Sequence, residues 1–299
     1  MAGRRKELKG VQVLVPLPTK PDYSIDFAGI KENIRYLADA GVHGVIALGS
    51  TGEFFQLSAV EFDKVVDATV KAAAGDLACT IGCSYQNLAE CVRRMKYAEK
   101  AGADGAMIMV PYYLPVTQEA ALDFYRRVDE QADGIQVMVY NFPPASRINI
   151  APETWEELLK LPSIKAVKES NSDIFHVSRV LSRVRSRVNV LAGSEAWMLP
   201  ETPLGAVGVT SIFGTGLPEL VLEFYEACRR GDYKKAVPMH TAFAEASWFI
   251  TPFNEVAWVK GLAEICGRKA GPPRPPYAKL GPEETKFLKK WAATRMRPS

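Results

Sequence analysis

Histidine is nearly missing from this chain: its 299 residues contain three, His43, His176 and His240, far apart in sequence. Cysteine is sparse as well. Cys79, Cys83, Cys91, Cys228 and Cys266 form no CxxC pair and no cluster with the histidines. A zinc site draws about four such ligands at short spacings, so no metal centre is expected. An odd thiol count without an export signal suits reduced core residues in a cytoplasmic protein, with Cys83 at a predicted strand end. Charge of one sign is also absent, since 37 basic against 34 acidic side chains leave a formal +3. That balance counts against a nucleic-acid partner. No apolar run approaches the ~20 residues of a membrane span. Residues 1–9 carry Arg4, Arg5, Lys6 and Lys9 without the apolar segment of a secretory signal, and read as a flexible basic tip.

What the chain does contain is a regular alternation. Short apolar runs rich in Val, Ile and Met occur at 11–17, 44–48, 79–83, 106–110, 135–140, 164–168, 188–192 and 207–212. Such runs suit strands buried on both faces of a parallel sheet. They begin about 28 residues apart on average, enough for one strand, one crossover helix and two loops. Helical signals fill the gaps. Phe27, Ile30, Ile34, Leu37 and Ala38 share a helical spacing, Ser58 and Glu61 form a capping-box pair, and Pro152 opens a first turn. Ala40-Gly41 and Ala101-Gly102 each read as a helix end before a tight loop.

Eight such units predict an α/β fold, a (β/α)8 TIM barrel over residues 10–230. A doubly wound open sheet is the rival, but no Gly-x-Gly-x-x-Gly follows the first run. Residues 231–299 read as a C-terminal helical extension with patterns at 233–249, 254–266 and 283–294, and a stiff Gly271–Pro276 connector.

Barrel chemistry belongs at the C-terminal strand ends. After strand 2, Gly49-Ser50-Thr51-Gly52-Glu53 offers two hydroxyls and free backbone N–H groups for a small anion, though an ordinary turn has the same composition. In strand 6, alternation puts Ile164, Ala166, Lys168 and Ser170 on one face. If that face is inward, Lys168 is a buried amine that tends to lose its proton and become a nucleophile toward a carbonyl carbon; otherwise it snorkels to the rim. Tyr140 ends strand 5, and Tyr112 and Tyr113 follow strand 4, as core aromatics or proton relays. Strand 7 ends at Glu195 and strand 8 carries Thr210 and Ser211.

Taken together, the motifs at 49–53, 111–113, 140–143, 167–170 and 192–195, with the Asn254…Lys260 helix, resemble the N-acetylneuraminate lyase / dihydrodipicolinate synthase family of Schiff-base aldolases. The resemblance runs from about Gly10 to the last helix. It implies Lys168 as the Schiff-base lysine, Tyr140 as proton relay, Tyr113 as a second relay tyrosine, and Ser50 and Thr51 as holders of the 2-oxo acid carboxylate. It implies that Tyr112 reaches a neighbouring subunit, and it further implies a homotetramer that needs no metal or organic cofactor. Ser170, Glu195, Thr210, Ser211 and Arg147 are the expected contacts with the rest of the substrate. The chain departs from the synthases at one point: Ala145 stands where they carry an arginine that grips the second substrate's carboxylate, and Arg147 stands two residues on. The expected activity is therefore aldol cleavage or dehydration of a 2-keto-3-deoxy sugar acid. The alternatives are 4-hydroxy-tetrahydrodipicolinate synthase and a catalytically silent 2-oxo acid binding barrel.

Overall fold

The structure is a computed structural model that describes residues 5–251 and 254–296. Eight parallel strands close into one barrel in sequence order. They are β1 (Gly10–Leu14), β2 (Gly44–Ala47), β3 (Ala78–Gly82), β4 (Gly105–Ile108), β5 (Gln136–Asn141), β6 (Ile164–Glu169), β7 (Asn189–Ala192) and β8 (Gly208–Ser211). The helices between them are α1 (Phe27–Asp39), α2 (Ala59–Ala73), α3 (Leu88–Ala101), α4 (Gln118–Asp129), α5 (Pro143–Ser146), α6 (Pro152–Leu158), α7 (Ile174–Val184) and α8 (Glu195–Glu201). After β8 come α9 (Pro218–Arg230), α10 (Tyr233–Ser247), α11 (Glu255–Ile265) and α12 (Pro282–Ala293). The (β/α)8 barrel read from the sequence is the fold observed.

Local chemistry sets the helix ends. The Asp26 side chain caps α1 by accepting from Gly29 N at 3.1 Å. Ser58 and Glu61 close a reciprocal capping box on α2, with Ser58 Oγ accepting from Glu61 N at 3.2 Å and Glu61 Oε2 from Ser58 N at 3.0 Å. Gly102, at φ +100°, provides the left-handed residue that ends α3, which a side chain rarely adopts.

The barrel interior is packed, not open. Leu8 is fully buried and plugs the N-terminal end: a Cβ on Gly105 would meet its Cδ1 at 2.6 Å. Arg5–Lys9 were expected to be part of a flexible tip, but they are tied down. Lys6 N donates to Asp104 Oδ1 at 2.8 Å, Lys6 Nζ to Leu77 O at 2.9 Å, and Arg5 Nε to Gly134 O at 2.9 Å. The apolar Leu8 side chain between these basic residues supplies the reason, since burying it draws its neighbours onto the barrel floor. Residues 1–4 of that tip lie outside the described residues.

The C-terminal helices pack on the barrel through an aromatic cluster centred on Phe213. Its ring lies 4.9 Å from Phe243, 5.1 Å from Trp258 and 5.2 Å from Trp291, so α10, α11 and α12 share one apolar contact with the segment after β8. The start of α11 lies at the barrel mouth, where Glu255, Val256 and Ala257 line one cavity with Ser50.

Candidate active site

Lys168 lies one residue from the C-terminal end of β6, in register with Tyr140 of β5. Alternation sends both side chains inward, while Glu169 and Asn141 point outward and hydrogen-bond each other at 2.8 Å. Lys168 is 3% exposed, and its Nζ lies 4.1 Å from the centre of the Tyr140 ring. Burial pulls the ammonium down to about 8, and the Glu255 carboxylate partly opposes that fall. An amine so placed has a neutral, nucleophilic fraction near neutral pH.

Tyr140 is buried as well, which raises its phenol well above the usual range; the Glu255 charge adds to this, and the nearby Ser50 and Ser170 hydroxyls oppose it. The phenol thus keeps its proton at neutral pH, with two hydroxyls near it and one amine beside its ring. Its ring stacks on Phe142 with centroids 5.4 Å apart, which fixes its orientation.

The turn after β2 is bracketed by two residues in the left-handed region, Leu48 at φ 58° and Glu53 at φ 53°. Neither is glycine, so each costs about 1–3 kcal/mol that the surroundings must offset. Two features do so. Gly82 of β3 leaves room for the Leu48 carbonyl, into which any Cβ would collide. Glu53 is fully buried, with Oε1 2.5 Å from Lys260 Nζ and Oε2 accepting from Arg274 N at 2.8 Å. The result is a single 3-10 turn, Ser50–Gly52, held at the mouth. The Thr51 hydroxyl within it is buried and has no hydrogen-bond partner among the described residues. An unpartnered buried hydroxyl is costly and suits a ligand oxygen. Gly193, after β7, is likewise required, because a Cβ there would strike Ser170 Oγ.

Lys168, Tyr140, Ser50, Thr51 and Ser170 therefore come together. The other expected residues are placed differently from one another. Tyr113 is 75% exposed on the loop after β4, with its N–H on Gln86 Oε1 at 3.1 Å. Its neighbour Tyr112 packs edge-on to Phe54 at 5.9 Å, so within one chain it is Tyr112 that turns inward. Arg147 is exposed, caps α5 at φ 57°, and makes no side-chain hydrogen bond or ion pair among the described residues. Glu195 is fully buried, but behind the barrel: Ser194 caps α8 at once, and the first-turn carboxylate turns back onto β8 to accept from Ser211 Oγ and, at 3.3 Å, from Phe213 N. Ser211 shares that outer face. Thr210 is inward on β8, in register with Gln12, and its hydroxyl donates to Ala192 O at 3.3 Å.

One residue escaped the sequence reading. Glu255, in the first turn of α11, lines a cavity of about 120 Å³ with Ser50, Phe55, Tyr277 and Ala278. Burial raises its carboxyl, and Lys168 lowers it. Its only sequence signal was an acidic residue at a helix start, which ordinarily means a partner for the helix dipole. Among the described residues, no group of three or more His, Cys, Asp or Glu is placed to hold a metal ion.

The profile of the Dihydrodipicolinate synthetase family matches residues 7–294. The chain belongs to that family. Among its curated relatives, the 4-hydroxy-tetrahydrodipicolinate synthase of Methanospirillum hungatei is 33% identical over 278 residues, covering 93% of this chain and 95% of the relative. A DapA-like lyase of Halobacterium salinarum is 31% identical, covering 94% of this chain and 92% of the relative. Among solved structures, a dihydrodipicolinate synthase from Aquifex aeolicus superposes with a TM-score of 0.90 at 27% identity, covering 96% of this chain and 98% of that one. A prophage protein of the dihydrodipicolinic acid synthase family from E. coli K12, solved with pyruvate, gives 0.89 at 26% identity with the same coverage. The protein is a lyase of this family.

Proposed function

We propose that the protein holds a 2-oxo acid such as pyruvate as a Schiff base on Lys168. The observation that carries this reading is the buried Lys168 amine beside the Tyr140 ring, its ammonium drawn down to about 8. Ser50, Thr51 and the backbone N–H groups of their turn receive the carboxylate, and the unpartnered Thr51 hydroxyl supports that placement. Lys168 Nζ adds to the ketone carbon. The Tyr140 phenol gives its proton to the resulting hydroxyl, which leaves as water, and a protonated imine forms. The phenolate then takes a proton from C3, and the enamine carbon attacks an aldehyde whose oxygen recovers that proton. Water hydrolyses the new imine and frees the lysine.

The relatives' names favour a synthase over the sugar-acid reading expected from the sequence. The product in the name 4-hydroxy-tetrahydrodipicolinate synthase has seven carbons, so a pyruvate donor requires a four-carbon 2-amino acid aldehyde, aspartate semialdehyde. Retro-aldol cleavage or dehydration of a 2-keto-3-deoxy sugar acid is the second reading, favoured by Ala145 at the clamp position and by the exposure of Arg147. Incubation with pyruvate and aspartate semialdehyde, and separately with a panel of ketodeoxy sugar acids, tests both. A seven-carbon product supports the synthase. Pyruvate release or loss of water from the sugar acids, without that product, replaces it with the second reading.

Assembly as a homotetramer and a cytoplasmic location belong to the same proposal. Exposed Tyr113, Leu114 and Phe175 support assembly, since one chain leaves these apolar side chains uncovered. Light scattering reads the mass directly. No helix of the described residues is long and apolar enough to cross a membrane.

A further inference from the structure

The Schiff-base chemistry accounts for Lys168, Tyr140, Ser50 and Thr51, but leaves a charged group at the mouth without a task. Glu255, at the start of α11, lines the cavity that Ser50 also lines. Phe55 and Tyr277, edge-on with centroids 5.6 Å apart, add an apolar wall. The Glu255 carboxylate accepts no hydrogen bond from any described residue, and among those residues the cation that lowers its carboxyl is Lys168. Glu255 is half-buried, so its carboxylate is compensated by what water reaches it and by the charge of Lys168.

The compensation also changes during the reaction. A free ammonium or a protonated imine at Lys168 offers Glu255 an opposite charge, but the enamine is neutral. At the moment when the aldehyde must be engaged, Glu255 has lost its cation and is left to water or to a hydrogen-bond donor on the second reactant. The second reactant has room for one. A cavity of about 120 Å³ is far more than one water needs, so a small polar fragment fits it.

We propose that Glu255 is the specificity-determining residue for the aldehyde-derived half of the substrate: it accepts a hydrogen bond from a hydroxyl or ammonium near the reacting carbon and rejects a bare carboxylate arm. The inference rests on the Schiff-base reading and deepens it. It holds for either second reactant, because a sugar aldehyde presents hydroxyls and a 2-amino acid aldehyde presents an ammonium. An acceptor that brings a carboxylate without a donor meets like charge, which is the repulsive half of selectivity.

The test uses the full-length protein with pyruvate as donor and two matched pairs of acceptors. Glyceraldehyde and propionaldehyde differ in hydroxyls; aspartate semialdehyde and succinic semialdehyde differ in the ammonium. Wild type is expected to prefer the donor-bearing member of at least one pair, and the pair it prefers tells hydroxyl from ammonium. In Glu255→Ala that preference, read as a ratio of kcat/KM values, falls at least tenfold. Glu255→Gln keeps an acceptor oxygen but loses the charge; it retains part of the hydroxyl preference and accepts succinic semialdehyde better than wild type. Thermal melting and borohydride trapping of pyruvate on each variant show that the fold and Lys168 are intact. Ratios within threefold of wild type in both variants, with trapping intact, overturn the role of Glu255 alone. Absence of a pyruvate adduct in wild type overturns the Schiff-base reading beneath it. A wild type that makes the adduct but shows no preference within either pair also overturns the inference.

Discussion

Lys260 Nζ lies 2.5 Å from Glu53 Oε1, and both side chains are out of solvent. One belongs to α11 in the C-terminal extension and the other ends the turn that bears Ser50 and Thr51. Lys260 also donates to Pro272 O at 2.9 Å, and Arg274 N and Gln56 Nε2 donate to Glu53 Oε2 at 2.8 and 3.0 Å. The extension thus holds the mouth turn in its strained form as well as covering the barrel. Removing one partner of a buried ion pair strands the other, at a cost of about 3–5 kcal/mol. Lys260→Met is expected to lose stability on that scale in denaturant titration and to raise the KM for the 2-oxo acid. Adding Glu53→Gln should recover part of the stability, because the stranded charge is then gone.

Imine formation should follow the protonation of Lys168. Burial is the main cause of its low value, so the rate of adduct formation with excess pyruvate should rise with pH and level off above about 8. Glu255 favours the charged amine. Its replacement by Gln should therefore move the midpoint lower, measured by single-turnover kinetics across pH 6–10.

The same burial makes the lysine a stability cost. Its ammonium falls from 10.5 to about 8, so below pH 8 both folded and unfolded chains are protonated and folding carries the full penalty. Between those values the unfolded chain alone holds the proton, and stability rises with pH. The penalty at neutral pH is roughly 3 kcal/mol by the usual conversion. Lys168→Met should accordingly be inactive yet more stable than wild type by about 1–3 kcal/mol at pH 7, with a smaller gain at pH 10. Calorimetry at both pH values checks this.

Glu169 shows the opposite sign behind the barrel wall. It is fully buried, and burial pushes its carboxyl up to about 8 against the hydrogen bond from Asn141. Folding therefore retains a proton that the unfolded chain has lost, and this contribution to stability declines as pH rises from about 4.5 through 8. Glu169→Gln mimics the protonated form and can still accept from Asn141. It should raise the melting temperature at pH 9 and leave it almost unchanged at pH 5.

The barrel was legible because each of its strands is buried on both faces and each helix on one, and those periods are written in the residues themselves. The positions of Lys168 and Tyr140 followed from strand alternation, and the strained turn was visible as Gly-Ser-Thr-Gly-Glu. Where reading failed, the cause lay in geometry beyond the strand. Glu195 follows a strand end, but the Ser194 cap starts a helix at that point and rotates the carboxylate outward. Tyr112 and Tyr113 are adjacent, so only the loop conformation decides which one is exposed. Glu255 reaches the site because the extension folds back over the mouth, a contact between residues far apart in sequence that no local pattern encodes.

The most direct test of the central claim is borohydride trapping with pyruvate, read by intact-protein and peptide mass spectrometry. Wild type should gain one reduced pyruvyl adduct per chain, mapped to Lys168, and Lys168→Ala should gain none. An unmodified wild type, or the same adduct in Lys168→Ala, would contradict the account.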